Sequence, residues 1–252
     1  MPWHGPDGSR LYYEETGRGD AVVLMPGWAG NIVELSPLRA ALSPGFRVVA
    51  VDLPGSGRSE PQPRTYDVDY YQDDARTLLG LLDVLGISAA HLVGFSDGGE
   101  EALLMAELRP SLALSVFTWG ATGIIEATPD DLTAIENVVD QPTADLAPLA
   151  AYLASAYSPD TARTMTRSWA QAMREIVAAG GDISRNSAHL IRCPALLVAG
   201  TYDSHCSPDR TREMAALIPR GEFLEAPGAG HPVHVSHGPW LQRQLTRWLA
   251  GH

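Results

Sequence analysis

Two kinds of apolar spacing alternate along the 252 residues of the chain. Short β-branched runs that are apolar at consecutive positions read as strands buried on both faces of a sheet. "AVVLM" (21–25) and "RVVAV" (47–51) are of this kind, "AAHLVGF" (89–95) is the next buried strand, and "LALSVFTWG" (112–120), "CPALLVAG" (193–200) and "GEFLEAP" (221–227) follow as further strands. Ahead of them "RLYYEET" (10–16) alternates and breaks at Gly17-Arg18-Gly19-Asp20, which predicts an antiparallel strand and a turn. Helical spacing fills the gaps: "ELSPLRAALS", residues 68–86, "GEEALLMAELRP" up to Pro110, a stretch around 208–218, and the closing "PWLQRQLTRWLAG". Strand–helix alternation predicts an α/β fold, a mostly parallel sheet covered by helices on both faces. From 122 to 190 the beat changes, and "DLAPLAAYLASAY" and "TARTMTRSWAQAMREIVAAG" are helical with no buried strand between them. The expected division is a core of residues 1–121 and 191–252, with a helical cap inserted at 122–190.

An apolar fraction of 45% is enough for a substantial core. The net charge of −12 argues against nucleic acid or anionic membrane as partner, because both reward positive charge. Cys193 and Cys206 are the only cysteines, too few for a disulfide framework, and suggest a reducing compartment. The opening "MPWHGPDGSR" lacks the basic and apolar regions of a secretory signal. No apolar stretch approaches the roughly 18 residues of a membrane span. These features predict a soluble, cytoplasmic protein.

The chemistry centres on "LVGFSDGG" (92–99). Gly94-Phe95-Ser96-Asp97-Gly98 fits the Gly-x-Ser-x-Gly nucleophile elbow, with the required strand before it and helix after it. The serine of such an elbow occupies a strained backbone, and the flanking glycines remove side chains that would collide there. A serine nucleophile needs a base, and the base needs an orienting carboxylate. Asp203 follows the buried run "LLVAG", and His231 lies in the Gly-rich loop after the next strand. Both stand where open α/β sheets build their sites, at the carboxyl ends of strands. Ser96, Asp203 and His231 are therefore the expected catalytic residues.

Two backbone amides complete such a site by holding the developing oxyanion. The expected donors are the N–H of Asp97 and that of Trp28, in the turn Pro26-Gly27-Trp28-Ala29-Gly30 after "AVVLM". Rival readings are structural. Asp209 belongs at a helix N-terminus, where a carboxylate favours the exposed amides. His205 reads as a surface loop residue and His91 as a strand histidine. His231, His234 and His237 repeat every third position, but Pro232 interrupts a helix and no carboxylate is interleaved, so no metal site is expected. Asp52 with "PGSG" shapes a turn; it lacks the Gly-Lys-Ser/Thr ending of a phosphate loop. Trp119, Trp169 and Trp240 read as core or cleft wall.

The segments "LMPGWAG", "VVAVDLPGSGRS", "VGFSDGGEEALLMA", "WGA", "IRCPALLVAGTYD" and "GAGH" together resemble the α/β-hydrolase superfamily. Within it they are similar to the biphenyl-hydrolase-like group of serine esterases. The resemblance covers nearly the whole chain and implies an α/β-hydrolase fold: an eight-stranded sheet, a helical cap and ester hydrolysis without a cofactor. It also implies that the acidic residue behind the nucleophile, here Asp97, receives the α-ammonium of an aminoacyl ester. A pocket around Asp97, Trp28 and Trp119 is expected to bind the substrate; Glu126, Asp130 and Asp131 are further acidic candidates, though they read first as solvated surface. The leading expectation is hydrolysis of small carboxylic esters through an acyl-enzyme, with α-aminoacyl esters as a candidate class. A cofactor-free perhydrolase/haloperoxidase, a C–C bond hydrolase and a non-catalytic ligand receptor on the same scaffold remain open alternatives.

Overall fold

The computed structural model describes residues 2–4 and 10–252. Its strands are β1 (Pro2–His4), β2 (Arg10–Thr16), β3 (Ala21–Met25), β4 (Arg47–Val51), β5 (Ala90–Phe95), β6 (Ala113–Trp119), β7 (Ala195–Gly200) and β8 (Gly221–Ala226). They form one eight-stranded sheet in the order β1-β2-β4-β3-β5-β6-β7-β8. β1 and β2 run antiparallel, as do β2 and β4, and all later neighbours are parallel. The three-residue β1 lies in a stretch where no period marks a strand. Only its ladder with β2 makes it one.

The helices are α1 (Ser36–Leu42), α2 (Tyr70–Val84), α3 (Asp97–Leu108), α4 (Pro129–Glu136), α5 (Ala147–Ala156), α6 (Pro159–Ala178), α7 (Pro208–Leu217), α8 (Val233–Ser236) and α9 (Gly238–Ala250). The apolar strand runs work because alternate residues serve opposite layers. Val23, Met25, Val49 and Val51 pack under α2 and α3, while Val22, Leu24, Val48 and Ala50 pack under α1 and α9. β3, β5 and β7 are buried at every residue. The chain between β6 and β7 carries α4, α5 and α6. The apolar face of α6, including Met165 and Met173, joins the layer that contains α2 and α3. Among the described residues no helix is long and apolar enough to cross a membrane.

Parallel strands deliver their carboxyl ends to one edge. Met25 pairs with Gly94, Phe95 with Trp119 and Gly200 with Ala226, so the loops after β3, β5, β6, β7 and β8 open together.

Candidate active site

Ser96 stands between β5 and α3 at φ +52°, a region that costs a non-glycine residue about 1–3 kcal/mol. The surrounding glycines explain how so sharp a turn closes. A Cβ on Gly94 would lie 2.0 Å from the Gly98 carbonyl oxygen, and one on Gly98 would lie 2.3 Å from that of Pro26. Ser96 Oγ lies 3.1 Å from His231 Nε2. On the far side of the ring, His231 Nδ1 lies 2.9 Å from Asp203 Oδ2. Asp203 Oδ1 accepts the backbone N–H groups of His205 at 2.9 Å and Cys206 at 2.8 Å. The three side chains predicted to meet thus form a continuous relay from hydroxyl to buried carboxylate.

Gly120 reserves room for the imidazole. It lies at φ +71°, and a Cβ there would come within 2.7 Å of His231 Cε1. Alanine would strain the backbone and push the ring away from Ser96. We expect Gly120→Ala to lower kcat on p-nitrophenyl butyrate by about 10²-fold, the order of effect of a 1 Å misplacement. Activity equal to wild type would show that the ring tolerates the added methyl.

The loop after β3 abuts the nucleophile: a Cβ on Gly27 would meet Ser96 Cβ at 3.2 Å. Among the described residues no protein acceptor is found for the amides of Trp28 and Asp97. Asp52 braces this loop by accepting Ile32 N–H at 2.7 Å and Arg58 N–H at 2.9 Å.

The Asp97 carboxylate is buried beside the site. Its oxygens accept the hydroxyls of Tyr70 and Tyr71, each at 3.0 Å. The indole N–H of Trp169 donates to Tyr70 Oη at 3.1 Å, and its ring lies 4.9 Å from that of Trp28. Burial pushes the Asp97 carboxyl up to about 6, although the two phenol hydrogen bonds pull it down. Glu100, one turn into its helix, is pushed up to about 7 by burial; it accepts the backbone amides of Thr122 and Gly123 and ties down the chain just after β6. Tyr70 and Tyr71 were invisible as site residues because in α2 they read only as apolar positions.

One expectation needs correction. Trp119 is fully buried in the layer with Phe117 and Val198, and its indole N–H donates to His234 Nδ1 at 3.0 Å. It packs as a core residue, one of the two readings given to it above, and is not exposed as a wall of the expected substrate pocket. Glu126 pairs with Arg210 at 2.7 Å and Asp131 closes a capping box with Thr128 at the start of α4, both on the surface, as first read for them. His205 is exposed as expected, yet its ring packs edge-on against His231 with centroids 5.3 Å apart. The histidines of the 231–237 run serve separate partners: Ser96 and Asp203, then Trp119, then Ser236. Cys206 Sγ donates to the Gly120 carbonyl at 3.1 Å.

The chain is similar to known proteins over most of its length. Residues 20–238 match the family model described as the alpha/beta hydrolase fold. The human serine hydrolase BPHL is 33% identical over 238 residues, covering 91% of this chain and 76% of that protein. The 2-(acetamidomethylene)succinate hydrolase of Mesorhizobium japonicum is 28% identical over 257 residues, covering 95% of this chain and 91% of that protein. Among solved structures, the enol-lactonase from Burkholderia xenovorans LB400 superposes with a TM-score of 0.81 at 23% identity, covering 99% of this chain and 100% of the other. With a family match over most of its length and hydrolases as its relatives, the chain is a hydrolase and belongs to the α/β-hydrolase fold family.

Proposed function

We propose that the protein is a serine esterase acting on small carboxylic esters, α-aminoacyl esters included. The observation that carries this reading is the relay in which Ser96 Oγ, His231 and Asp203 are linked at 3.1 and 2.9 Å. A carboxylate only accepts, so Nδ1 of His231 holds a proton and Nε2 is left free to receive another. As Ser96 Oγ attacks the ester carbonyl, its proton passes to Nε2 and the carbonyl oxygen becomes an anion held by the Trp28 and Asp97 amides. Collapse of this intermediate breaks the bond to the alcohol, which leaves with the proton from Nε2. Water then gives a proton to the same nitrogen as it attacks the acyl-enzyme; the acyl bond to Ser96 Oγ breaks, Nε2 returns the proton to Oγ, and the acid leaves. Residues 122–190 act as the cap, and Trp28 walls the acyl side through its contact with Trp169.

The Asp97 side chain gives this reading its substrate class. A buried carboxylate that accepts two neutral hydroxyls has no cation beside it in that pair of contacts. An ammonium placed there would supply the missing positive charge, and a charge-assisted hydrogen bond is worth roughly 1.5–3 kcal/mol. The test compares p-nitrophenyl acetate, p-nitrophenyl butyrate and an α-aminoacyl ester on wild type and Asp97→Asn. The expected result is a loss of about 10- to 150-fold confined to the aminoacyl ester.

Recognition needs an ionised carboxylate and a charged amine. The aminoacyl-to-acetyl ratio should therefore fall as pH drops below about 6, where Asp97 takes a proton, and again above about 8, where an α-amino group loses one. An equal loss on all three substrates would defeat ammonium recognition and leave the esterase reading standing. Cleavage of a vinylogous diketone with none of the three esters turned over would overturn the ester reading itself.

A further inference from the structure

The loop that offers the Trp28 amide is held from the insertion as well as from the core. Gly30 N–H closes a turn on the Gly27 carbonyl at 3.0 Å, with Trp28 and Ala29 at its centre. Ala29 lies at φ +56° while Trp28 has no positive φ, the pattern of a type II turn. That third turn position favours glycine, so an alanine there needs external support. Two phenols supply it. Tyr157 Oη donates to the Ala29 carbonyl at 2.7 Å and Tyr152 Oη donates to the same oxygen at 3.0 Å. Tyr152 belongs to α5 and Tyr157 is the residue that ends it.

Each phenol is itself aimed by a donor. Asn31 Nδ2–H reaches Tyr152 Oη at 3.0 Å, and Gly57 N–H reaches Tyr157 Oη at 3.0 Å. Burial raises the pKa of both phenols, which keeps both hydroxyls in the donor form. The Ala29 oxygen, with two lone pairs, is thereby saturated by the insertion alone. Fixing the carbonyl of the turn's third residue fixes the whole turn, including the amide one residue earlier. Nothing in the relay of Ser96, His231 and Asp203 uses these two tyrosines, and both would be costly to bury without partners.

We propose that Tyr152 and Tyr157 are positioning residues for the oxyanion hole. By gripping the Ala29 carbonyl they hold the Trp28 amide where charge develops, which makes the helical insertion part of the catalytic geometry as well as a cover. This rests on the serine esterase reading. The clamp touches no substrate, so its removal should weaken the hold on a tetrahedral species and spare ground-state binding.

The test is the double variant Tyr152→Phe/Tyr157→Phe, compared with wild type in three measurements. The expected results are a fall of about 10- to 100-fold in kcat for p-nitrophenyl butyrate with KM within about twofold, a matching loss of affinity for an alkyl boronic acid, and unchanged binding of butyrate. Unchanged kcat and boronate affinity would overturn the clamp. A parallel loss of boronate and butyrate binding would also overturn it, because that is the signature of general damage to the site. Should the double variant fail to fold, single Tyr152→Phe, at a half-buried position, carries the same three comparisons, and the same outcomes support or overturn the clamp. Wild type that takes no label from a fluorophosphonate at Ser96 would defeat the esterase reading. A labelled wild type beside an unaltered double variant defeats only the clamp.

Discussion

Ser96→Ala is expected to lower kcat on p-nitrophenyl butyrate by roughly 10⁴- to 10⁶-fold, with a melting temperature close to wild type. The size follows from the relay. On the proposed esterase reading Oγ, 3.1 Å from His231 Nε2, carries the acyl group, so without it no covalent intermediate forms. What remains is the pull of two amides on a carbonyl attacked by water, which leaves only a residual rate. Stability should hold because alanine keeps the Cβ and inherits the same positive φ, so the strain at this position is neither added nor relieved. The measurements are a burst with an activated ester and a thermal melt. An alanine variant that retains a tenth of the wild-type rate would remove Ser96 from the mechanism and redirect attention to another nucleophile.

Asp203→Asn should cost about 10⁴-fold in kcat at neutral pH, for a reason the loop geometry makes specific. Asp203 Oδ1 accepts two backbone N–H groups, those of His205 and Cys206. An asparagine in the same place must present its carbonyl oxygen to those amides, because its NH₂ would face two donors. The NH₂ is then directed at His231 Nδ1, 2.9 Å from the position it inherits. Nδ1 must become an acceptor, the imidazole proton moves to Nε2, and Nε2 meets Ser96 unable to take its hydrogen. The variant should fold and bind substrate while turning it over slowly, and it should lose the far-downfield imidazole proton resonance expected of wild type. Activity within tenfold of wild type would show that Asp203 does not set the tautomer.

Much of the site could be read from local patterns. The elbow is five consecutive residues whose glycines are demanded by contacts across a single turn, such as Gly94 against Gly98. Asp203 could be placed because it follows the apolar run of β7, and His231 because its Gly-rich loop follows the next strand, and strand ends in a parallel sheet converge. Trp119 misled for the same reason: it too ends a strand, but its side chain falls on the face that packs against Phe117 and His234. One residue of register separates a pocket wall from a core residue, and the run "LALSVFTWG", apolar at most positions, does not reveal which face is which.

Hydrophobic period and glycine placement determined the layered α/β architecture and the nucleophile turn, because both are set by sterics and burial among near neighbours in the chain. Tertiary structure alone decided what surrounds the nucleophile: the phenols on Asp97, the histidine edge against His231, the three-residue strand β1 and the tyrosine grip on Ala29. The tyrosine–Asp97 bonds span 26 and 27 positions and the tyrosine–Ala29 bonds 123 and 128. Contacts at such range leave no periodic trace, since each partner satisfies its local pattern equally well with or without the other.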